Sequence, residues 1–379
     1  MKTVDILAVR MRSQGIADAR FADAESLLAW MGCVQAQDFG QAKWAVGMRC
    51  GGALDRGASA GGAMTEAEID TAFNEGRMLR THVLRPTWHF VLPADIGWMV
   101  RLTGPRVKNF CRPYHRQLGI DTAMLKRSKK IMIRAMEGGA SLTRMELAAL
   151  LRAAKMDTSD MRMNFLLMDA ELDGLICSGP RKGKQFTYAL LEERALGQVD
   201  LDGDAALAEL TRRYFRSRGP ATEADLAWWA GMTLGQARRG LEMVGKELER
   251  IRIGEVEYWW DGAAGAEPWG AKRGVAAGGS TGTEAMKEVV LLPGYDEYAV
   301  GYKDRASIVP AEHVKQTFHG LRPVVLVRGR VAGMWKRRVE KGKVVVEVSA
   351  LDKWSKATVQ GVKREVRRFE GFAGGTNRR

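Results

Sequence analysis

The feature that most constrains the fold is a repeated order of predicted elements, in which helices are followed by two strands. In the amino-terminal part, apolar residues recur at helical spacing and two strand-like segments follow. A second and a third round each give helices, one of them opened by a capping residue, and then two strands. The predicted elements are helices from Val4, Asp23 (to about Val34) and Thr65 with strands 79–84 and 87–92; helices from Thr143 and Asp160 with strands 175–177 and 186–188; and helices 207–216, from Thr222 and 234–244 with strands 249–253 and 256–260. This is the order of a winged helix, so the sequence predicts an α+β fold with about three tandem winged-helix modules.

A length of 379 residues exceeds what one hydrophobic core usually serves, which agrees with several modules. After the third round the sequence becomes a Gly/Ala-rich loop, which is followed by β-rich segments and a basic helix. The predicted boundaries are 1–120, 121–198 and 199–262 for the three winged-helix modules, 263–285 for the loop, 286–370 for a small C-terminal β-domain and 371–379 for a frayed tail.

The charge balance favours a polyanionic partner. Lys and Arg number 59 against 45 Asp and Glu, which gives a formal net charge of +14. A genome rich in Arg codons would produce part of this bias without any function. The four cysteines are far apart and form no CxxC pair, so neither a zinc site nor a disulfide framework is expected. The sequence has no apolar signal core and no run long enough for a membrane helix, so we expect a cytoplasmic, nucleoid-associated protein with no membrane partner.

Two glutamines, Gln35 and Gln37, follow an apolar helix that has no need of them. Residues two apart point to the same side only in extended backbone, so a shared ligand requires the helix to end near Gln35. The alternative is a polar helix C-terminus whose amides bond the free carbonyls.

Charged and aromatic residues alternate along the first predicted hairpin. Arg85, Thr87 and His89 are candidates to line a cleft where a DNA backbone passes. With Arg80 and His82 nearby, paired histidines also suggest a metal site, but no third ligand is close in sequence. Structural histidines are the alternative, and no metal is expected.

The second predicted hairpin has a basic tip that contains Arg181, Lys182 and Lys184. A wing of this kind suits contact with phosphates, although lysines on a surface turn also serve solubility alone. The acidic pair Asp296 and Glu297 is not followed by the Asp/Glu-x-Lys that would complete a metal-dependent nuclease centre.

Three blocks of sequence together resemble the bacterial winged-helix DNA glycosylases typified by AlkZ and YcaQ. They are Val34-Gln-Ala-Gln-Asp38, Leu84-Arg-Pro-Thr-Trp-His-Phe-Val-Leu92 and Leu291-Leu-Pro-Gly-Tyr-Asp-Glu-Tyr298. The resemblance implies tandem winged helices in a C-shaped arrangement, a C-terminal β-domain and a monomer that needs no metal, nucleotide or other cofactor. It implies the Gln-x-Gln catalytic motif for Gln35 and Gln37, and as substrates double-stranded DNA carrying N7-alkylguanines or interstrand crosslinks between them.

The chemistry of such a motif follows from the lesion. An N7-alkylguanine is already cationic, so the base leaves neutral without a general acid, and the enzyme has only to place a water under C1′ and stabilise the charge on the sugar. Amide oxygens suffice for this task. Gln37 would hold the water while Gln35 orients Gln37 or shares the water, and Asp38 is an alternative base.

A non-catalytic winged-helix DNA-binding protein or transcriptional regulator explains the charge and the repeated order equally well. Its recognition helix would be the segment Asp160–Asp173 with Arg162 and Asn164, or the segment Leu234–Val244 with Gln236, Arg238 and Arg239. A protein-interaction scaffold is least favoured, because basic residues occur in every predicted module.

Overall fold

The computed structural model describes residues 3–51, 64–262 and 287–374. The chain divides into two compact units, which we describe separately: unit 1 comprises Met1–Ile69, Thr211–Trp229 and Leu234–Arg379, and unit 2 comprises Asp70–Leu210 and Ala230–Thr233. The predicted Gly/Ala-rich loop 263–285 and residues 375–379 of the predicted tail lie outside the described residues.

The elements are given in chain order. The helices are α1 (Thr3–Ser13), α2 (Ala24–Met31), α3 (Phe39–Gly47), α4 (Glu66–Glu75), α5 (Pro93–Gln117), α6 (Thr122–Met136), α7 (Arg144–Ala153), α8 (Arg162–Leu172), α9 (Leu191–Arg194), α10 (Gly203–Arg218), α11 (Glu223–Ala230), α12 (Leu234–Val244), α13 (Glu297–Val300), α14 (Val314–Thr317) and α15 (Lys356–Gly374). The strands are β1 (Cys33–Gln35), β2 (Leu79–His82), β3 (Trp88–Val91), β4 (Leu142–Thr143), β5 (Ile176–Ser178), β6 (Thr187–Leu190), β7 (Glu249–Ile253), β8 (Val256–Trp260), β9 (Val289–Leu292), β10 (Val324–Val327), β11 (Arg330–Glu340) and β12 (Lys343–Ala350). Short 3₁₀ turns cover Gly245–Glu247 and Ala311–His313.

The carboxyl-terminal part of unit 1 is an antiparallel sheet in the order β9–β10–β11–β12, with Val324 opposite both Leu292 and Met334. The β-rich segments predicted between Val289 and Val348 are therefore confirmed as strands. All of β9 is buried, as the continuous apolar run Val289–Leu292 requires.

Helix α3 is anchored to this sheet by Trp44. Its indole Nε1 donates a 2.7 Å hydrogen bond to the carbonyl of Leu291, and its ring meets Phe369 of α15 edge-on with centroids 5.1 Å apart. Aromatic packing of this kind adds to the burial of both rings. The chain just before α3, which contains the two glutamines, is therefore fixed at its carboxyl-terminal end to the core of unit 1.

In unit 2, α6, α7 and α8 pack around one apolar core beside the antiparallel sheet β4–β6–β5. The core includes Met132, Met136, Leu147, Leu151 and Leu166, all fully buried. The element order predicted for the second round is observed. The predicted capping box is also present: the backbone N–H of Thr143 donates to Glu146 at 2.6 Å, and that of Glu146 donates to Thr143 Oγ1 at 3.2 Å.

Helix α8 is mostly enclosed, because the long helix α5 packs along it. A Cβ on Gly104 of α5 would lie 2.9 Å from the carbonyl oxygen of Leu172, so this close approach needs glycine. Val107 and Cys111 of α5 are buried against Leu172.

Two predicted boundaries are wrong. The second helix ends at Met31 and not near Val34, because Gly32 adopts a φ of +77° that ends the helix, and β1 follows. The last helix continues to Gly374, into the segment predicted as a frayed tail, because Phe369 and Phe372 bury its final turns. Among the described residues, no helix combines the length and apolar character needed to cross a bilayer.

Candidate active site

The glutamine segment, defined as Val34–Asp38, leaves α2 in extended conformation. Gln35 is the last residue of β1, and Asp38 caps α3 by accepting a 3.1 Å hydrogen bond from the backbone N–H of Gln41. The condition stated for two glutamines serving one ligand, a helix that ends before Gln35, is therefore met.

The two glutamines differ in exposure. Gln37 is exposed, whereas the side chain of Gln35 is 7% exposed. The Gln35 Oε1 atom is buried and accepts no hydrogen bond from any described residue. A buried amide oxygen without a donor costs free energy unless a water or a ligand supplies the hydrogen bond.

A buried carboxylate fixes the backbone at Gln35. Glu297 accepts a 2.8 Å hydrogen bond from the Gln35 backbone N–H through Oε1. Its Oε2 accepts hydrogen bonds of 2.9 Å and 2.7 Å from Arg218 Nε and Nη2, and one of 2.9 Å from the indole of Trp229. The side chains of Arg218 and Glu297 are both 0% exposed, so this ion pair lies in the interior of unit 1.

Arg218 also holds the chain between α2 and β1. Its Nη1 donates to the carbonyl of Met31 and its Nη2 to the carbonyl of Cys33, both at 2.8 Å. These donors replace the helical hydrogen bonds that the chain gives up after Met31. One guanidinium and one carboxylate thus set the path of the backbone into Gln35.

A second buried ion pair stands next in sequence. Arg49 makes two parallel hydrogen bonds to Asp296, at 2.8 Å and 2.7 Å, and a third of 2.9 Å to the carbonyl of Gln14. Tyr302 links the two pairs, because it accepts from Gln14 Nε2 and donates to the carbonyl of Arg218. Burial raises the pKa of Tyr302 to about 12, so its hydroxyl remains a donor at neutral pH.

Asp38, the alternative base, is exposed and is engaged by its oxygen in the cap of α3. Among the described residues, no three His, Cys, Asp or Glu side chains converge into a group that could hold a metal ion.

The three hairpin residues predicted to contact DNA belong to unit 2. Arg85 and Thr87 are half-buried, and His89 is fully buried, with its Nδ1 2.9 Å from the carbonyl of Thr87. The neighbouring His82 is also buried, with its Nδ1 2.5 Å from Glu171 Oε2. Arg80 lies over the Trp88 ring at 4.4 Å, so the side chains of Arg80 and His82 are packed within unit 2.

The basic hairpin tip, defined as Pro180–Lys184, is partly neutralised within unit 2. The Arg181 backbone N–H donates to Asn74 at 2.9 Å, and its guanidinium lies 3.5 Å from Asp70. Lys182 lies 3.3 Å from Glu146. Lys184 is exposed and has no ion pair with any described residue.

Sequence reasoning missed Arg218 and Glu297 as the residues that shape the glutamine segment. In the sequence, the acidic pair Asp296 and Glu297 suggests only an incomplete metal centre. The position of Glu297 within the third block that carries the family resemblance is a usable signal, whereas no motif in the sequence includes Arg218.

Comparisons with known proteins identify the family of this chain. The family model for AlkZ-like DNA glycosylases matches residues 28–372. A comparison with curated proteins finds no match. Among solved structures, the Streptomyces sahachiroi DNA glycosylase AlkZ matches with a TM-score of 0.77 at 20% identity, covering 99% of this chain and 97% of that one, which shows a shared fold. Since the family model spans nearly the whole chain, with the glutamine segment and Glu297 inside it, the chain belongs to the AlkZ-like DNA glycosylase family.

Proposed function

We propose that this protein is a monofunctional DNA glycosylase that hydrolyses the N-glycosidic bond of cationic N7-alkylguanines in double-stranded DNA, with Gln35 and Gln37 as its catalytic residues. The observation that carries the proposal is the Gln35 Oε1 atom, which is buried and without a hydrogen-bond donor among the described residues. Exposed Gln37 stands two residues further on.

The proposed reaction mainly requires that a water molecule be positioned against C1′. The bond between C1′ and N9 breaks, the electron pair leaves with the base, and the ring charge of the alkylated guanine is neutralised. A water oxygen bonds to C1′, and its proton passes to solvent. An amide oxygen can hold that water, and a rigid backbone makes the placement effective. The hydrogen bond from Gln35 N–H to buried Glu297 supplies this rigidity.

Membership of the family supports a proposal for the partner and for the arrangement of the modules. We propose duplex DNA as the partner, crosslinks between N7-alkylguanines as further substrates, and a monomer of about three winged-helix modules in a C shape. Arg85, Thr87, His89, Arg181, Lys182 and Lys184 remain the proposed DNA contacts, and Lys184 is the strongest of them because its charge is unpaired within the described residues.

A duplex carrying 7-methylguanine tests the activity. Single-turnover incubation should release free 7-methylguanine and leave abasic sites. Gln37→Ala should slow release at least about 100-fold, the scale of a lost positioned catalytic group. Its DNA affinity should stay unchanged, and Gln117→Ala, which removes another exposed glutamine, should behave as wild type. Parallel loss of binding in Gln37→Ala would contradict the assignment.

The pH profile separates the glutamines from Asp38. Neither amide titrates, so the single-turnover rate should be nearly flat from mildly acidic to mildly basic pH. A steep acid limb, abolished in Asp38→Asn, would instead identify the carboxylate as the base.

One observation favours the regulator as a second candidate. Helix α12 exposes Gln236, Arg238 and Arg239, of which Gln236 and Arg239 are three residues apart and share one side of the helix. Helix α8, in contrast, is largely buried by α5, which makes it a poor reader of a groove. Footprinting on random and alkylated duplexes distinguishes the two candidate functions, because a regulator protects a particular sequence and a glycosylase protects the lesion.

A further inference from the structure

Helix α6 of unit 2 carries cations that the proposed reaction does not use. Lys126, Lys130 and Arg134 are all exposed and follow each other at intervals of four residues. Residues four apart share one side of a helix, with about 6 Å of rise between them. The three side chains therefore form one row along α6.

This row borders a groove of about 490 Å³, which we call the α6 groove. Its lining also includes Lys129, Ile133, Glu137 and Leu175. Lys129 is already neutralised by Asp169 at 2.7 Å and Asp173 at 2.5 Å. Glu137 is the single carboxylate among these lining residues, so the groove is strongly cationic.

The cations of the row are not engaged within the protein. No described carboxylate lies within 4 Å of Lys126, Lys130 or Arg134. Other exposed cations do have such partners: Arg238 lies 2.9 Å from Glu223, and Lys336 lies 2.7 Å from Glu347. Grouped cations without carboxylates repel each other, and a polyanion relieves that repulsion.

Helix α5 carries two further exposed cations. Arg112 and Arg116 make no ion pair with a described residue and line another cavity of about 590 Å³, which Asp121 and Asp169 also line. The row along α6 spans about 12 Å by itself, because its ends are eight residues apart, and it therefore suits an extended anion better than a single phosphate.

The other face of α6 argues against a lipid surface. Met132 and Met136 are fully buried in the core of unit 2, and Leu125 and Ile133 pack against it. A membrane-binding helix keeps an apolar face for insertion beside its cations, and α6 has none to spare.

We propose that the α6 groove is an accessory binding surface for the phosphate backbone of DNA, used for affinity and not for base release. The choice of DNA as the polyanion rests on the proposed function. Contacts to phosphate release counterions, so each one adds to the salt dependence of binding without contributing to the chemistry.

The test compares two triple variants of the full chain. One is Lys126→Gln, Lys130→Gln and Arg134→Gln. The control, Arg77→Gln, Arg250→Gln and Arg338→Gln, removes the same charge from exposed arginines that face Glu75, Glu257 and Glu347. Binding of an undamaged 30-base-pair duplex is measured by fluorescence anisotropy at several KCl concentrations, and thermal unfolding confirms that both variants fold.

We expect the slope of log Kobs against log salt to fall by about 1 for each cation that contacts a phosphate in the α6 variant, and to stay unchanged in the control. Base release from saturated 7-methylguanine duplex should remain within about 2-fold of wild type, since no catalytic contact is lost. An unchanged slope in the α6 variant overturns the inference. The inference is also overturned if the α6 variant loses binding to phosphatidylserine vesicles while its DNA binding stays intact, because the groove would then bind a membrane surface. If wild type releases no base but the slope still falls, the groove stands and the glycosylase proposal fails.

Discussion

The glutamine segment and the basic hairpin tip are both short polar stretches, but different forces hold them. Glu297 accepts from the backbone N–H of Gln35, and Arg218, its ion-pair partner, donates to the carbonyls of Met31 and Cys33. Both of these side chains are 0% exposed. Lys182 faces Glu146 with both side chains 47% exposed. Buried networks tolerate little movement, whereas surface ion pairs exchange readily with water and salt. The difference matches the two tasks that we propose for these regions, because hydrolysis needs a fixed position and phosphate binding needs only available charge.

Removing the buried carboxylate should have the largest effect on stability. Glu297→Ala leaves the Arg218 guanidinium buried without its partner, which should lower the free energy of unfolding by about 3–5 kcal/mol. Urea denaturation at pH 7 measures this. Lys182→Gln at the hairpin tip is the matched variant and should leave the urea midpoint unchanged. Equal effects at both sites would remove the distinction drawn above.

Replacing Gln35 by an apolar side chain of similar size should separate activity from stability. Gln35→Met loses the amide and should lower the single-turnover rate about 100-fold. The urea midpoint should be maintained or raised, because the Oε1 atom accepts no hydrogen bond from the described residues. A large drop in the midpoint together with the rate would assign Gln35 a structural role instead.

The predictability of the two regions from sequence also differs. Local signals predicted the capping box at Thr143, because a cap acts within a few residues. For the two glutamines they set only a condition, a helix that ends near Gln35, and the helix was predicted to run too far, to about Val34. Gly32 marked the true end of α2 and was overlooked. Arg218 and Glu297, which form the buried ion pair, are 79 residues apart in sequence. Glu297 is 262 residues from Gln35, from whose backbone N–H it accepts a hydrogen bond. Such pairing depends on the finished fold, so no local pattern reveals it.

Each lysine of the basic hairpin tip should contribute to DNA affinity according to how much of its charge is left unpaired within the protein. Lys184→Gln should reduce the slope of log Kobs against log salt by about 1 if Lys184 contacts a phosphate. Lys182→Gln should reduce it less, because Glu146 already offsets the charge of Lys182. Duplex titrations at several salt concentrations measure both slopes, and neither variant should change single-turnover base release. A change in that rate would move the tip from binding to chemistry.

The smallest effect on DNA affinity should come from removing the Glu146 charge that lies opposite Lys182. The backbone and side chain of Thr143, with Lys182 beside them, hold the pKa of Glu146 below its usual range. A lowered pKa in the folded state means that the carboxylate stabilises the fold at neutral pH, and that this contribution is lost only as the pH falls through the folded-state pKa, below the ordinary glutamate value of about 4.3. Base release, measured between mildly acidic and mildly basic pH, should therefore not report on Glu146.

Glu146→Gln makes the same change at neutral pH. The amide oxygen can still accept from the Thr143 backbone N–H, which preserves the cap, while the charge opposite Lys182 disappears. DNA affinity should then rise slightly, about 2-fold, the scale of one exposed ion pair. In the background of Lys182→Gln the same substitution should have no effect on affinity, because the cation that it releases is gone. If affinity rises equally in both backgrounds, the gain comes from overall charge, and the tip has no specific contact with the phosphate backbone.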